Sequence, residues 1–264
     1  MREQSRKTVD VLGVEVSLMR PDKAVNITMN YLQRKETGTV FFHTAESSLF
    51  CQSQDWAAGC IDSCDLVLPG DHYIEHAVGH AAFGENRTQG HSHFADRYLI
   101  KLLARIAREN RTIFVVTDKE DYLESLAEDL KSIYPEITLD GAVLQGDSEP
   151  EIEALVNDIN GIIPDIIFLC LNTQTQLNLF REYVPMMNTH LVVSTEFILP
   201  SVLTSLPVVP KWVEALHLTD FYQGIQEKIM GSIFRKTIMD KIEKDDPDIE
   251  DKEENNQENP NGEE

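Results

Sequence analysis

The feature that most constrains this chain is an alternation of short β-branched or aromatic runs with longer amphipathic segments. TVFFHTA (39–45), DLVLP (65–69), TIFVV (112–116), EITLDGAV (136–143), PDIIFLCLN (164–172) and THLVVST (189–195) read as strands. Helical spacing occupies 21–34, 46–54, a stretch from Asp71, then 94–108, 119–133, 149–160 and 174–183. Most of the runs are apolar throughout, so those strands are buried on both faces. That pattern belongs to a parallel sheet covered by helices on both sides. The segment VDVLGVEVSLM (9–19) reads as a hairpin ahead of the first helix, which has Pro21 at its start. The expected fold class is therefore α/β, with a doubly wound parallel sheet. Ligands of such sheets bind at the carboxyl ends of the strands.

Composition narrows the function. The chain of 264 residues carries a formal charge of −22, unevenly spread. Residues 243–264 hold 11 acids against 2 lysines, and Ile249 is their single aliphatic side chain. Such a segment cannot repay the entropy of folding and reads as a disordered acidic tail. The remaining charge on the body is −22 − (−9) = −13, which argues against nucleic acid as a partner. Cys51, Cys60, Cys64 and Cys170 form no C-x-x-C pair and read as core or free thiols of a reducing compartment. The amino-terminal residues lack an apolar secretory core, and DIIFLCL is too short to cross a bilayer. A soluble, cytoplasmic protein without a cofactor is expected.

One string suggests different chemistry. His72, Glu75 and His76 spell H-x-x-E-H, a zinc-peptidase signature, and His80 continues the four-residue spacing. Yet the string follows DLVLP and a Pro-Gly-Asp turn, where Asp71 is placed to cap a helix that begins at His72. No downstream glutamate motif accompanies it. The reading favoured here is a capped helix with partly exposed imidazoles beside a cleft, and no metal.

The order of segments resembles the WecG/TagA/CpsF family of bacterial glycosyltransferases across roughly Val9 to Lys236. VDVLGVEVSLMRPDKAV is similar to that family's opening, and SCDLVLPGD to its "ADLVLPDG". TIFVVTDKEDYLESLAEDLKSIYPEI resembles a strand, loop and helix ending in Tyr-Pro. PDIIFLCLNTQTQ stands where the family has "ADILFVGLGSPKQE", and Pro210-Lys211-Trp212 matches its Pro-Lys-Trp segment. The resemblance implies a Rossmann-like domain over 1–205, a helical appendage over 206–242 and the acidic tail over 243–264. It also implies transfer of an N-acetylhexosamine from a UDP-sugar to a polyprenyl-diphosphate-linked acceptor at the inner membrane face, with self-association through the sheet domain.

Carried over residue by residue, the resemblance implies Asp71 as base and Thr44, Glu46, Gln176, Lys211 and Arg235 as substrate-binding residues. The departures are concentrated in the loops. The family's Pro-Asp-Gly is inverted to Pro69-Gly70-Asp71, and its glycine-rich turns read Thr117-Asp118-Lys119, Cys170-Leu171-Asn172 and Ser194-Thr195-Glu196. Each lost glycine puts a Cβ where phosphate would approach backbone. The acidic tail should repel an anionic leaflet. Two readings follow: a divergent UDP-sugar transferase, and a catalytically inactive relative that partners or regulates a cell-envelope enzyme.

Overall fold

The computed structural model describes residues 7–34, 36–83, 93–196 and 199. A parallel sheet runs in the order β4-β3-β8-β7-β5-β6, formed by Leu66–Pro69, Gly38–His43, Leu191–Ser194, Ile166–Cys170, Thr112–Thr117 and Thr138–Val143 respectively. Every residue of β3, β4, β7 and β8 except Thr39 is buried, which is why their sequences are apolar on successive positions. Edge strand β6 is largely half-exposed and reads TLDGAV. The α/β class expected from the alternation is observed.

Helices α1 (Pro21–Tyr31), α5 (Phe94–Arg108) and α6 (Glu120–Ile133) share one core with Val40, Phe42, Leu68, Val115, Phe168 and Val193 on one sheet face. Phe41 and Leu169, with the opposite pleat, stay outside that core. Phe41 instead meets Phe180 edge-on, with ring centroids 5.9 Å apart. On that second face α2 (Ala45–Ser53), α3 (Asp55–Asp62) and α8 (Thr173–Asn178) pack against one another. α7 (Glu149–Ile162) crosses from β6 back to β7. Helix α3 was not expected from sequence. Its eight residues, DWAAGCID, are too short and too rich in small side chains to display a helical period.

Two aspartates set the sheet register at its amino edge. Asp65, just before β4, accepts from the N–H and hydroxyl of Thr39 on β3, and its own N–H donates to that hydroxyl at 2.9 Å. Asp165, just before β7, treats Thr112 of β5 in the same way, its N–H donating at 2.8 Å. Strands β1 (Thr8–Val11) and β2 (Val14–Ser17) form the expected hairpin, packed against β4 and α4 (His72–Phe83). Its turn residues Leu12 and Gly13 have φ of 58° and 88°, the two positive values that a two-residue hairpin turn of type I′ requires. Among the described residues no helix is long and apolar enough to cross a membrane. The appendage and the acidic tail lie outside the described residues.

Candidate functional site at the carboxyl edge of the sheet

Chain direction defines where a ligand could enter. The chain leaves β3 for α2 on one face, whereas from β4 it passes through α4 to α5 on the other. The crevice between two such strands is where doubly wound sheets take their ligands. His43, Thr44 and Glu46 border it on the β3 side, and Gly70 and Asp71 on the β4 side.

His43 ends β3 in complete burial. Its Nδ1 lies 2.8 Å from Ser47 Oγ and its Nε2 2.8 Å from Ser48 Oγ. Burial drives the imidazole down to a pKa of about 3, so it is neutral at any working pH. A neutral ring donates from one nitrogen and accepts at the other, and two serine hydroxyls can satisfy both. Thr44 then caps α2: its Oγ1 accepts from Ser47 N at 3.1 Å while its N–H donates to Ser47 Oγ at 2.8 Å.

Asp71 begins α4 as the sequence suggested, accepting from Ile74 N at 2.9 Å through Oδ1. Its Oδ2 accepts from Ala45 N at 2.7 Å, across the crevice in the first turn of α2. Burial pushes this carboxyl up from its ordinary range, and the hydrogen bonds from Ala45 and Ile74 pull it back in part. The inverted Gly-Asp order has a steric cause. A Cβ at position 70 would lie 2.7 Å from Thr44 Cγ2 and 3.0 Å from the His43 carbonyl oxygen. A side chain there would press on Thr44 and on the end of β3, which favours glycine at 70 and leaves the carboxylate one residue along. Gly70→Ala is expected to cost roughly 1–2 kcal/mol through this clash, read as a lowered urea midpoint with unchanged slope.

Glu196, just past β8, has φ +43°, in the left-handed region that disfavours side chains. Its carboxyl is buried and accepts from Thr44 Oγ1 at 3.3 Å and from Thr173 Oγ1. Burial first, then the nearby Glu46 and Asp71, push its pKa up to about 8, against the pull of the two hydroxyls. Glu46 is itself raised by burial. The Glu46 and Asp71 carboxyls thus sit close enough to oppose the ionisation of Glu196, which is held neutral near pH 7.

The remaining expected residues divide. Gln176 is fully buried in α8, where its Nε2 donates to the Leu171 carbonyl and its Oε1 has no hydrogen-bond partner among the described residues. Asn172 caps α8 through Thr175 N at 3.0 Å. Thr44, Glu46 and Asp71 are brought together, and Thr44 is linked through Glu196 to Thr173 at the start of Gln176's helix. Lys211 and Arg235 lie outside the described residues. Glu75 of the H-x-x-E-H string is engaged by the start of α5: it accepts from Phe94 N at 3.0 Å and pairs with Arg97 at 3.5 Å. Among the described residues no three His, Cys, Asp or Glu side chains converge as a metal site.

Sequence reasoning passed over His43; Thr173 and Glu196 fall in the loops 172–176 and 194–196 that the strand ends place at the carboxyl edge, but the sequence suggested no role for either. His43 did leave a signal. It is a histidine closing the apolar run VFF, with serines four and five residues later, on the first turn of the following helix.

A doubly wound parallel sheet with polar loops gathered at its carboxyl edge defines the class, a Rossmann-like α/β protein; sheets of this kind take their ligands at that edge. The chain belongs to the WecG/TagA/CpsF glycosyl transferase family, whose family model matches residues 9–231. The family points to glycosyl transfer in cell-envelope polysaccharide synthesis. No curated relative matches the chain.

Proposed function

We propose that this chain is a glycosyltransferase-fold protein that has given up catalysis and serves cell-envelope polysaccharide synthesis as a partner or regulator of an active enzyme. The observation that carries this reading is the Asp71 carboxylate, which occupies Ile74 N at the start of its own helix and Ala45 N across the crevice. Free N–H groups at helix starts are what a nucleotide diphosphate would use. Here they face the Asp71 carboxyl of the chain itself, with the Glu46 carboxyl and the uncharged Glu196 side chain close by. Such an environment repels a diphosphate. The test is calorimetric titration of the full chain with UDP, UDP-N-acetylglucosamine and UDP-N-acetylmannosamine, with and without manganese. The expected result is no heat of binding. A micromolar dissociation constant for any of them overturns the reading.

The burial of Asp71 beside Thr44 favours a second reading, a surviving transferase acting on a UDP-sugar and a polyprenyl-diphosphate-linked acceptor. A raised carboxyl is suited to take the acceptor hydroxyl's proton. Lys211 or Arg235 would then meet the diphosphate charge, with contact at the inner membrane face. Under this reading Asp71→Asn lowers kcat about 100-fold or more; an unchanged kcat removes Asp71 as the base.

A further inference from the structure

Strands β3, β8 and β7 are neighbours, so the loops that leave them open onto one stretch of the carboxyl edge. Glu196 leaves the middle strand. Its side chain reaches to both sides, to Thr44 after β3 at 3.3 Å and to Thr173 at the start of α8 after β7. One buried carboxyl therefore ties together the ends of three adjacent strands.

The arrangement is held at a cost. The backbone at Glu196 sits at φ +43°, a conformation glycine would adopt without strain. The carboxyl is desolvated, and among the described residues the groups acting on it are the Glu46 and Asp71 carboxyls and the two threonine hydroxyls. Two hydroxyl donors offset part of that cost, and the volume the side chain fills is volume that a ligand phosphate cannot enter.

We infer that Glu196 is the specificity-determining residue of this edge: its side chain clasps the loops after β3 and β7 and so excludes a nucleoside diphosphate. This rests on the closed-site reading above and adds to Asp71 a second residue that closes the edge. The exclusion is by occupancy. Near pH 7 the carboxyl is neutral, so charge on Glu196 itself contributes little.

The experiment titrates wild type, Glu196→Gly and Glu196→Gln with UDP at pH 7, after a thermal melt establishes that each variant unfolds cooperatively. Glycine relieves the backbone strain and empties the space, and UDP is expected to bind it at least ~10-fold tighter than wild type, a gain of about 1.4 kcal/mol. Glutamine keeps the volume and is expected to match wild type. A folded glycine variant with no gain overturns the proposal, and so does a glutamine variant that gains as much as glycine. Should Glu196→Gly fail to fold, Glu196→Ala carries the same test, because it empties the volume beyond Cβ and is no more strained at φ +43° than the glutamate it replaces; an unchanged affinity there overturns the proposal equally. Micromolar UDP binding by wild type, tightened at least ~10-fold in the glycine variant, sinks the non-catalytic reading while leaving the clasp intact.

Discussion

His43→Ala is expected to lower unfolding stability by about 3 kcal/mol at pH 7. The imidazole fills a fully buried position at the end of β3, and both its nitrogens engage serine hydroxyls of α2. Truncation leaves a cavity and deprives Ser48 of its partner, whereas Ser47 keeps an alternative acceptor in the Thr44 carbonyl at 3.0 Å. The deficit should depend on pH in a defined direction. His43 in the folded chain titrates at about 3, below the ordinary 6.5. The unfolded state therefore binds the proton first as pH falls, so the histidine's contribution is complete above 6.5 and lost on the way to 3. Denaturant titrations of both proteins at pH 7 and pH 4.5 should show the gap narrowing in acid. A gap of constant size would mean that His43 is not a buried neutral ring.

Glu196→Gln is expected to show the opposite trend. The folded carboxyl titrates at about 8 against an ordinary 4.5, so between these values the folded state holds a proton that the unfolded state has released. The stability that this proton supports is fully present below 4.5 and is lost as pH rises through 8. Glutamine has no proton to lose. The variant should therefore gain on wild type by about 1.4 kcal/mol per pH unit within the window, reaching roughly 4–5 kcal/mol by pH 8.5. Glu46 and Asp71 are also raised by burial, but they are present in both proteins and largely cancel in the difference. Parallel melting temperatures for the two proteins from pH 4.5 to 8.5 would refute the buried, protonated carboxyl.

The two residues that dominate these expectations were legible in the sequence to different degrees. A histidine ending an apolar strand, followed by serines at helical spacing, is a local pattern, because His43 and its partners lie within one strand-to-helix turn. Glu196 has no such signature. Its partners stand 152 and 23 residues away, and they meet it only because β8 inserts between β3 and β7. Likewise Asp71 announced itself as a helix cap by its position after Pro69-Gly70. Its bond to Ala45 required β3 and β4 to be neighbours, and the inversion to Gly-Asp became intelligible once Thr44 was seen against Gly70.

The strand segments, their parallel pairing and most of the helices followed from the sequence alone, because burial on both faces demands continuous apolar runs and amphipathic helices declare their period within a dozen residues. Helix α3 escaped because DWAAGCID is too short to show one. Strand order, and with it the meeting of Thr44, Asp71, Thr173 and Glu196, was decided by the tertiary structure. Pairing between strands far apart in the chain is set by how the packed layers fit together, and no local spacing of residues records it.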